Sequence, residues 1–327
     1  MKRVKRFICI TLCTLLIMLC GCSNAPYSEP DAAVSSPTEI VDPNTPLSDG
    51  KTLKLLAITS SFGKNTTQFL YHIAKAEGCT DVVIGRLYGS GCTLQMHVGN
   101  AANNAFYYEY TKISTGTWET KESVPLKYGL QDEDWDIIFI QQSAAHAGIG
   151  STYGNYIDQL MDYVQANKTN PKARYIWNMT WAYQADSTQS VFINNFKGDQ
   201  MGMYNSIVEV TKEKVLPRAD FDRIIPSGTV IQNARTSPIG DRLCKDTYHL
   251  NNFGGILVAY GLYAVVTGQA LTEIHLDAVE ACIGNTISGA EPFYTPLTET
   301  EKAIIIESVN NALKNPFSVT QSTITRN

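Results

Sequence analysis

Two short stretches of this chain carry groups suited to acyl-transfer chemistry. Ser60 and Ser61 lie in a turn over residues 59–65, directly after an apolar run and ahead of an amphipathic one. Far downstream stands Asp246-Thr247-Tyr248-His249-Leu250-Asn251. A serine between a strand and a helix sits where backbone N–H groups and the positive helix end face a developing oxyanion. A near-neutral imidazole is a fitting base for its hydroxyl. A carboxylate three residues earlier, on the same turn, can fix the imidazole tautomer and stabilise the imidazolium. Each stretch also has a plainer reading. Serines cap helices, and an Asp-x-x-His is as readily a surface pair or half of a metal site.

The elements that must position these groups follow from hydropathy. Apolar runs at 53–58, 81–86, 135–141, 173–179 and 223–226 predict strands. Amphipathic stretches at 66–76, 156–167, 201–215, 230–235, 253–267 and 299–313 predict helices between and after them. This alternation predicts an α/β domain with a central parallel sheet covered by helices, so ligands should bind beyond the carboxyl ends of the strands. A Tyr-, Thr- and Asn-rich stretch at 98–131 reads as an insertion over the site, helical at 101–108 and then a small hairpin.

The order of these features resembles the SGNH (GDSL-like) hydrolase superfamily, and within it a branch of bacterial lipoproteins. An early Ser follows the first strand, a Gly-rich loop the second and a polar loop the third, with Asp-x-x-His-Leu-Asn late in the chain. The resemblance spans residues 53–268 and implies a three-layer αβα sandwich of flavodoxin-like type. It places the nucleophile on Ser61 within Thr59-Ser60-Ser61-Phe62-Gly63, where Thr59 and Ser60 replace the usual Gly and Asn. It places an oxyanion N–H on Gly91, with His97 following in Leu94-x-x-His97. The third block is usually Gly-x-Asn-Asp. Here it reads Gln141-Gln142-Ser143, and a side-chain amide of Gln141 or Gln142 is expected to complete the oxyanion hole. Asp246 and His249 fall on the orienter and the base. The implied chemistry is serine ester hydrolysis with neither cofactor nor metal.

Other candidates are weighed against that frame. His97, His146 and His249 could in principle ligate zinc. They contain no close His-x-His or His-x-x-x-His pair, which argues against it. His97 and His146 are instead expected to line the substrate pocket. His72 and His275 are read as structural or solvated. The aromatic residues Trp177, Trp181, Tyr183, Phe106, Tyr107, Tyr108 and Tyr110 suit stacking on a sugar ring and equally suit a core. With Trp181 taken as substrate-binding, the expected substrate is an O-acylated, in particular acetylated, glycan or another small ester.

Residues 1–22 combine Lys2, Arg3, Lys5 and Arg6 with a short apolar run and Leu19-Cys20-Gly21-Cys22, a secretory signal ending in a lipobox-like motif. That predicts acylation of Cys22, a membrane partner through this anchor, and an extracytoplasmic place in a bacterial cell envelope. Residues 23–50, rich in Pro, Ser and Asp, read as a flexible tether, and 51–327 as the hydrolase domain. Eight cysteines suggest a disulfide framework until sorted. Only Cys79, Cys92, Cys244 and Cys282 lie beyond the signal and Cys22, and their pairing stays open. A net charge of −5 offers no footprint for nucleic acid.

Overall fold

A computed structural model describes residues 46–276 and 296–325. The signal segment, Cys22, most of the 23–50 tether and Cys282 lie outside the described residues.

A seven-stranded sheet forms the middle layer, in the order β4-β3-β2-β1-β5-β6-β7. Its strands are β1 (Thr52–Thr59), β2 (Asp81–Tyr88), β3 (Tyr108–Ile113), β4 (Trp118–Val124), β5 (Ile137–Ile140), β6 (Arg174–Asn178) and β7 (Arg223–Ile225). β1 is central and nearly all buried, as a strand covered on both faces requires. It pairs in parallel with β2 from Thr52 opposite Asp81 to Thr59 opposite Tyr88, and on its other edge with β5 from Leu55 opposite Ile137 to Ile58 opposite Ile140. Successive β1 side chains point to opposite layers. Leu53, Leu55 and Ala57 join a core with α1 (Ser61–Thr67), α2 (Leu70–Ala76), α8 (Ser227–Arg235), α9 (Asn252–Thr267) and α10 (Glu299–Lys314). Leu56 and Ile58 join the opposite core with α3 (Leu94–Ala102), α4 (Leu126–Leu130) and α5 (Tyr156–Asn167). Two further helices, α6 (Ser190–Phe196) and α7 (Gln200–Lys214), run between β6 and β7.

The α/β sandwich expected from the sequence is observed, with three local differences. The sheet is mostly parallel: the expected hairpin exists as β3 and β4, but it extends the main sheet antiparallel to β2. Tyr108, Tyr110 and Ile113 of β3 are buried, whereas β4 is largely exposed and carries Glu119, Lys121 and Glu122, a charged edge that discourages further pairing. The helix expected at 101–108 is instead Leu94–Ala102, because Thr93 caps it by accepting from the Met96 N–H. The helix expected at 66–76 is two, and the first begins at Ser61.

The end of the predicted tether is docked rather than free. Leu47 and Ser48 donate backbone hydrogen bonds to the Val266 carbonyl at 2.8 and 2.9 Å, and Asp49 accepts from the N–H groups of Lys51 and Thr52 at the start of β1. Among the described residues no helix is long and apolar enough to cross a membrane.

Candidate active site

Strand order reverses around β1, which sends the chain first to β2 on one side and then to β5 on the other. Beyond the carboxyl ends of these three strands lies a cleft of about 470 Å³. Open parallel sheets place ligands at such a switch point. Ser61, Gly91, Asp246 and His249 all line this cleft, together with Ser143, Lys64, Asn65 and Tyr248.

Ser61 is the first helical residue of α1, so its N–H has no partner within that helix. The tight step from β1 to α1 depends on Gly63, where a Cβ would fall 1.8 Å from Thr59 Oγ1. Ser60 is different in kind. It is buried, and its Oγ accepts from Gln141 Nε2 at 3.2 Å. Of the two serines, Ser61 is the one with partial exposure in the cleft.

Asp246 holds His249 twice. One carboxylate oxygen meets His249 Nδ1 at 2.7 Å and the other accepts the His249 backbone N–H at 2.7 Å. A carboxylate can only accept, so Nδ1 carries the proton and Nε2 is left to act as the base. Burial alone pushes the Asp246 carboxyl upward. The side-chain and backbone hydrogen bonds from His249 outweigh it and leave the group below its ordinary value. The pair therefore holds throughout the neutral range and loosens only as pH falls through that lowered value. Thr247, between the two, has φ +71°, a left-handed conformation costly for a β-branched residue. Its carbonyl accepts from the Gln184 N–H at 2.7 Å and its hydroxyl donates to Ser187 Oγ at 3.0 Å.

The loop bearing His249 is tied to the helix bearing Ser61 by a residue the sequence reading missed. Asn65 accepts from the Leu250 N–H at 3.3 Å and donates to the Leu250 carbonyl at 3.5 Å, joining positions 185 apart in sequence. Asn65→Ala should therefore lower kcat by roughly 10- to 100-fold with little change in KM, because small misplacements of a base are costly. Steady-state kinetics on an ester substrate checks this. Phe62 supports the same loop, stacked on Trp181 with centroids 4.1 Å apart and edge-on to His249 at 5.9 Å.

Ser61 and His249 share the cleft without a direct hydrogen bond between them among the described residues. Such bonds often close only when substrate binds. Gly91 has φ +60° in a turn closed by Cys92 N–H to Gly89 carbonyl at 3.2 Å, and a Cβ there would project into open space.

The remaining predicted site residues stand elsewhere. Neither Gln141 nor Gln142 lines the cleft. The Gln141 amide spans Ser60 and Asn178, and Asn178 in turn accepts from Ser227 Oγ at 2.7 Å, forming a buried polar row beneath the strand ends. Gln142 Oε1 accepts from the Leu94 and Ser143 N–H groups, while its Nε2 donates to the carbonyl and hydroxyl of Thr152. These bonds leave the glutamines as braces between loops, in place of the oxyanion role expected of them. Trp181 is fully buried and donates to the Tyr248 carbonyl at 2.9 Å, so it supports the cleft without touching its contents. His146 also lies outside the lining and contacts Ser143 Oγ through Nδ1 at 2.9 Å. The aromatic lining comes from Phe62, Tyr88, Tyr183 and Tyr248, of which Tyr183 is among the aromatic residues expected at the site.

His97 is fully buried behind the Gly91 turn, with Nδ1 2.9 Å from Tyr108 Oη and 3.5 Å from Cys92 Sγ. It cannot reach a substrate. Burial drives its pKa down to about 3, so it is neutral in the fold, whereas in the unfolded chain it protonates near the ordinary value of about 6.5. Below that value the unfolded state binds more protons, and stability falls as pH falls. The contribution is about 2 kcal/mol by pH 5. Urea midpoints at pH 7 and pH 5 should show this loss, and His97→Gln should reduce the slope.

Among the described residues no group of His, Cys, Asp and Glu is arranged to hold a metal ion. Cys79, Cys92 and Cys244 are free thiols.

Residues 54–274 match the family described as domain of unknown function DUF4886. The crystal structure of a DUF4886 family protein from Bacteroides uniformis is 32% identical, covers 84% of this chain and 99% of its own, and has a TM-score of 0.72. A Slackia heliotrinireducens protein proposed to be an SGNH hydrolase is 14% identical, with 67% and 100% covered and a TM-score of 0.43. A catalytic mutant of an acetylxylan esterase from Geobacillus stearothermophilus is 10% identical, with 66% and 95% covered and a TM-score of 0.36. No curated protein matches in sequence.

Proposed function

This chain belongs to the DUF4886 family, and we propose that it is a serine esterase that removes short acyl groups, acetyl foremost, from an O-acylated carbohydrate. The observation that carries this reading is the meeting of Ser61 and an Asp246-held His249 in one cleft, from opposite ends of the domain. The cleft volume of about 470 Å³ suits a small acyl group with part of a sugar, and Tyr88, Tyr183 and Tyr248 offer rings for a sugar face.

In this reading His249 Nε2 takes the Ser61 proton as Ser61 Oγ attacks the ester carbonyl. The N–H groups of Ser61 and Gly91 receive the oxyanion. His249 then returns the proton to the leaving sugar hydroxyl, and a water activated by the same imidazole hydrolyses the acyl-enzyme. An acylated Cys22 would place this activity at the outer face of a bacterial membrane.

The reading is tested with purified protein on p-nitrophenyl acetate and on an acetylated xylo-oligosaccharide, following released acetate. Turnover of both is expected. A second reading, glycan binding with little catalysis, is favoured by the absence of a direct Ser61–His249 bond. It predicts saturable glycan binding without acetate release.

A further inference from the structure

A second serine–histidine pair stands at the cleft, with the serine in its lining and the histidine outside it. Ser143 follows β5, lines the same cleft as Gly91, and its Oγ lies 2.9 Å from His146 Nδ1. The surrounding bonds narrow what it can do. Its own backbone N–H is taken by Gln142 Oε1 at 2.9 Å, so the hydroxyl is the group it has to offer. The Gln141 and Gln142 amides are committed to Ser60, Asn178, Leu94 and Thr152. The next two cleft residues, Ala144 and Ala145, carry no polar side chain.

We propose, resting on the esterase reading above, that the Ser143 hydroxyl is the side-chain donor of the oxyanion hole and that His146 is the residue that aims it. With the proton on Nδ1, His146 donates to Ser143 Oγ and leaves the hydroxyl hydrogen free for the substrate carbonyl oxygen. Burial lowers the pKa of His146, which keeps the ring neutral at working pH. The alternative, a second nucleophile with its own base, lacks an orienting group: among the described residues no carboxylate pairs with His146, in contrast to Asp246 on His249. A hydroxyl aimed by a donor ring is poorly placed to lose its own proton to that ring. It is well placed to give a hydrogen bond.

The test compares wild type, Ser143→Ala, Ser143→Thr and His146→Ala by steady-state kinetics on p-nitrophenyl acetate and by inhibition with an alkylboronic acid, whose serine adduct is tetrahedral and anionic. Ser143→Ala should lower kcat by on the order of 10² while KM stays within about threefold, as for loss of one oxyanion donor. Boronate affinity should weaken in parallel. Ser143→Thr, which keeps a hydroxyl and shows whether the site still folds, should recover most of both, and His146→Ala should show a smaller loss of the same kind. A Ser143→Ala enzyme with kcat within threefold of wild type would overturn the proposal, as would a loss confined to KM. Wild type with neither turnover nor boronate inhibition would remove the esterase reading itself, and this inference with it.

Discussion

Replacing Ser61 with alanine is expected to lower ester turnover by on the order of 10⁴ to 10⁶ while leaving the protein folded. The expected size follows from the role: without a nucleophile no acyl-enzyme forms, and only the oxyanion donors and the bound geometry remain to assist water. Folding should be spared because the Ser61 side chain is partly exposed in the cleft and the start of α1 is supported by its neighbours. Thermal melting within a few degrees of wild type, measured beside p-nitrophenyl acetate hydrolysis, checks both halves. Ser60→Ala is the informative control. Ser60 is buried and hydrogen bonded to Gln141, so its loss should be read in stability more than in turnover.

His249→Ala is expected to cost about as much, again on the order of 10⁴ to 10⁶, because a serine hydroxyl is a weak nucleophile without a base. The double variant should be no worse than either single one, since groups that act as a unit do not lose their contributions additively. Kinetics on the two single variants and the double variant measures this directly. An additive result would mean that the two residues act apart.

How far the sequence revealed this site depended on whether a residue acts locally or through a distant partner. The Asp246–His249 pairing was legible because both groups lie on one turn, three positions apart, where backbone geometry brings them together. The parallel sheet covered by helices was legible from buried runs alternating with amphipathic stretches, whereas the strand order around β1 was not. Asn65 was not, because its function is a contact with Leu250 that closes only in the folded domain. The glutamines misled for a related reason. An amide beside a cleft can face it or brace the loops behind it. Only the positions of Leu94, Thr152 and Asn178 decide for bracing. His97 and Trp181 stood close in sequence to cleft residues, yet both turn into the packed interior. Asn178, a polar residue near the end of the apolar 173–179 run, belongs with Ser60 and Gln141 to the buried row beneath the cleft.

The most direct measurement is covalent: treat the purified protein with a fluorophosphonate, digest it and map the modified peptide by mass spectrometry. The account predicts one adduct, on Ser61, whose formation slows by orders of magnitude in His249→Ala. No adduct, or an adduct on Ser60 or Ser143 with Ser61 unmodified, would contradict it.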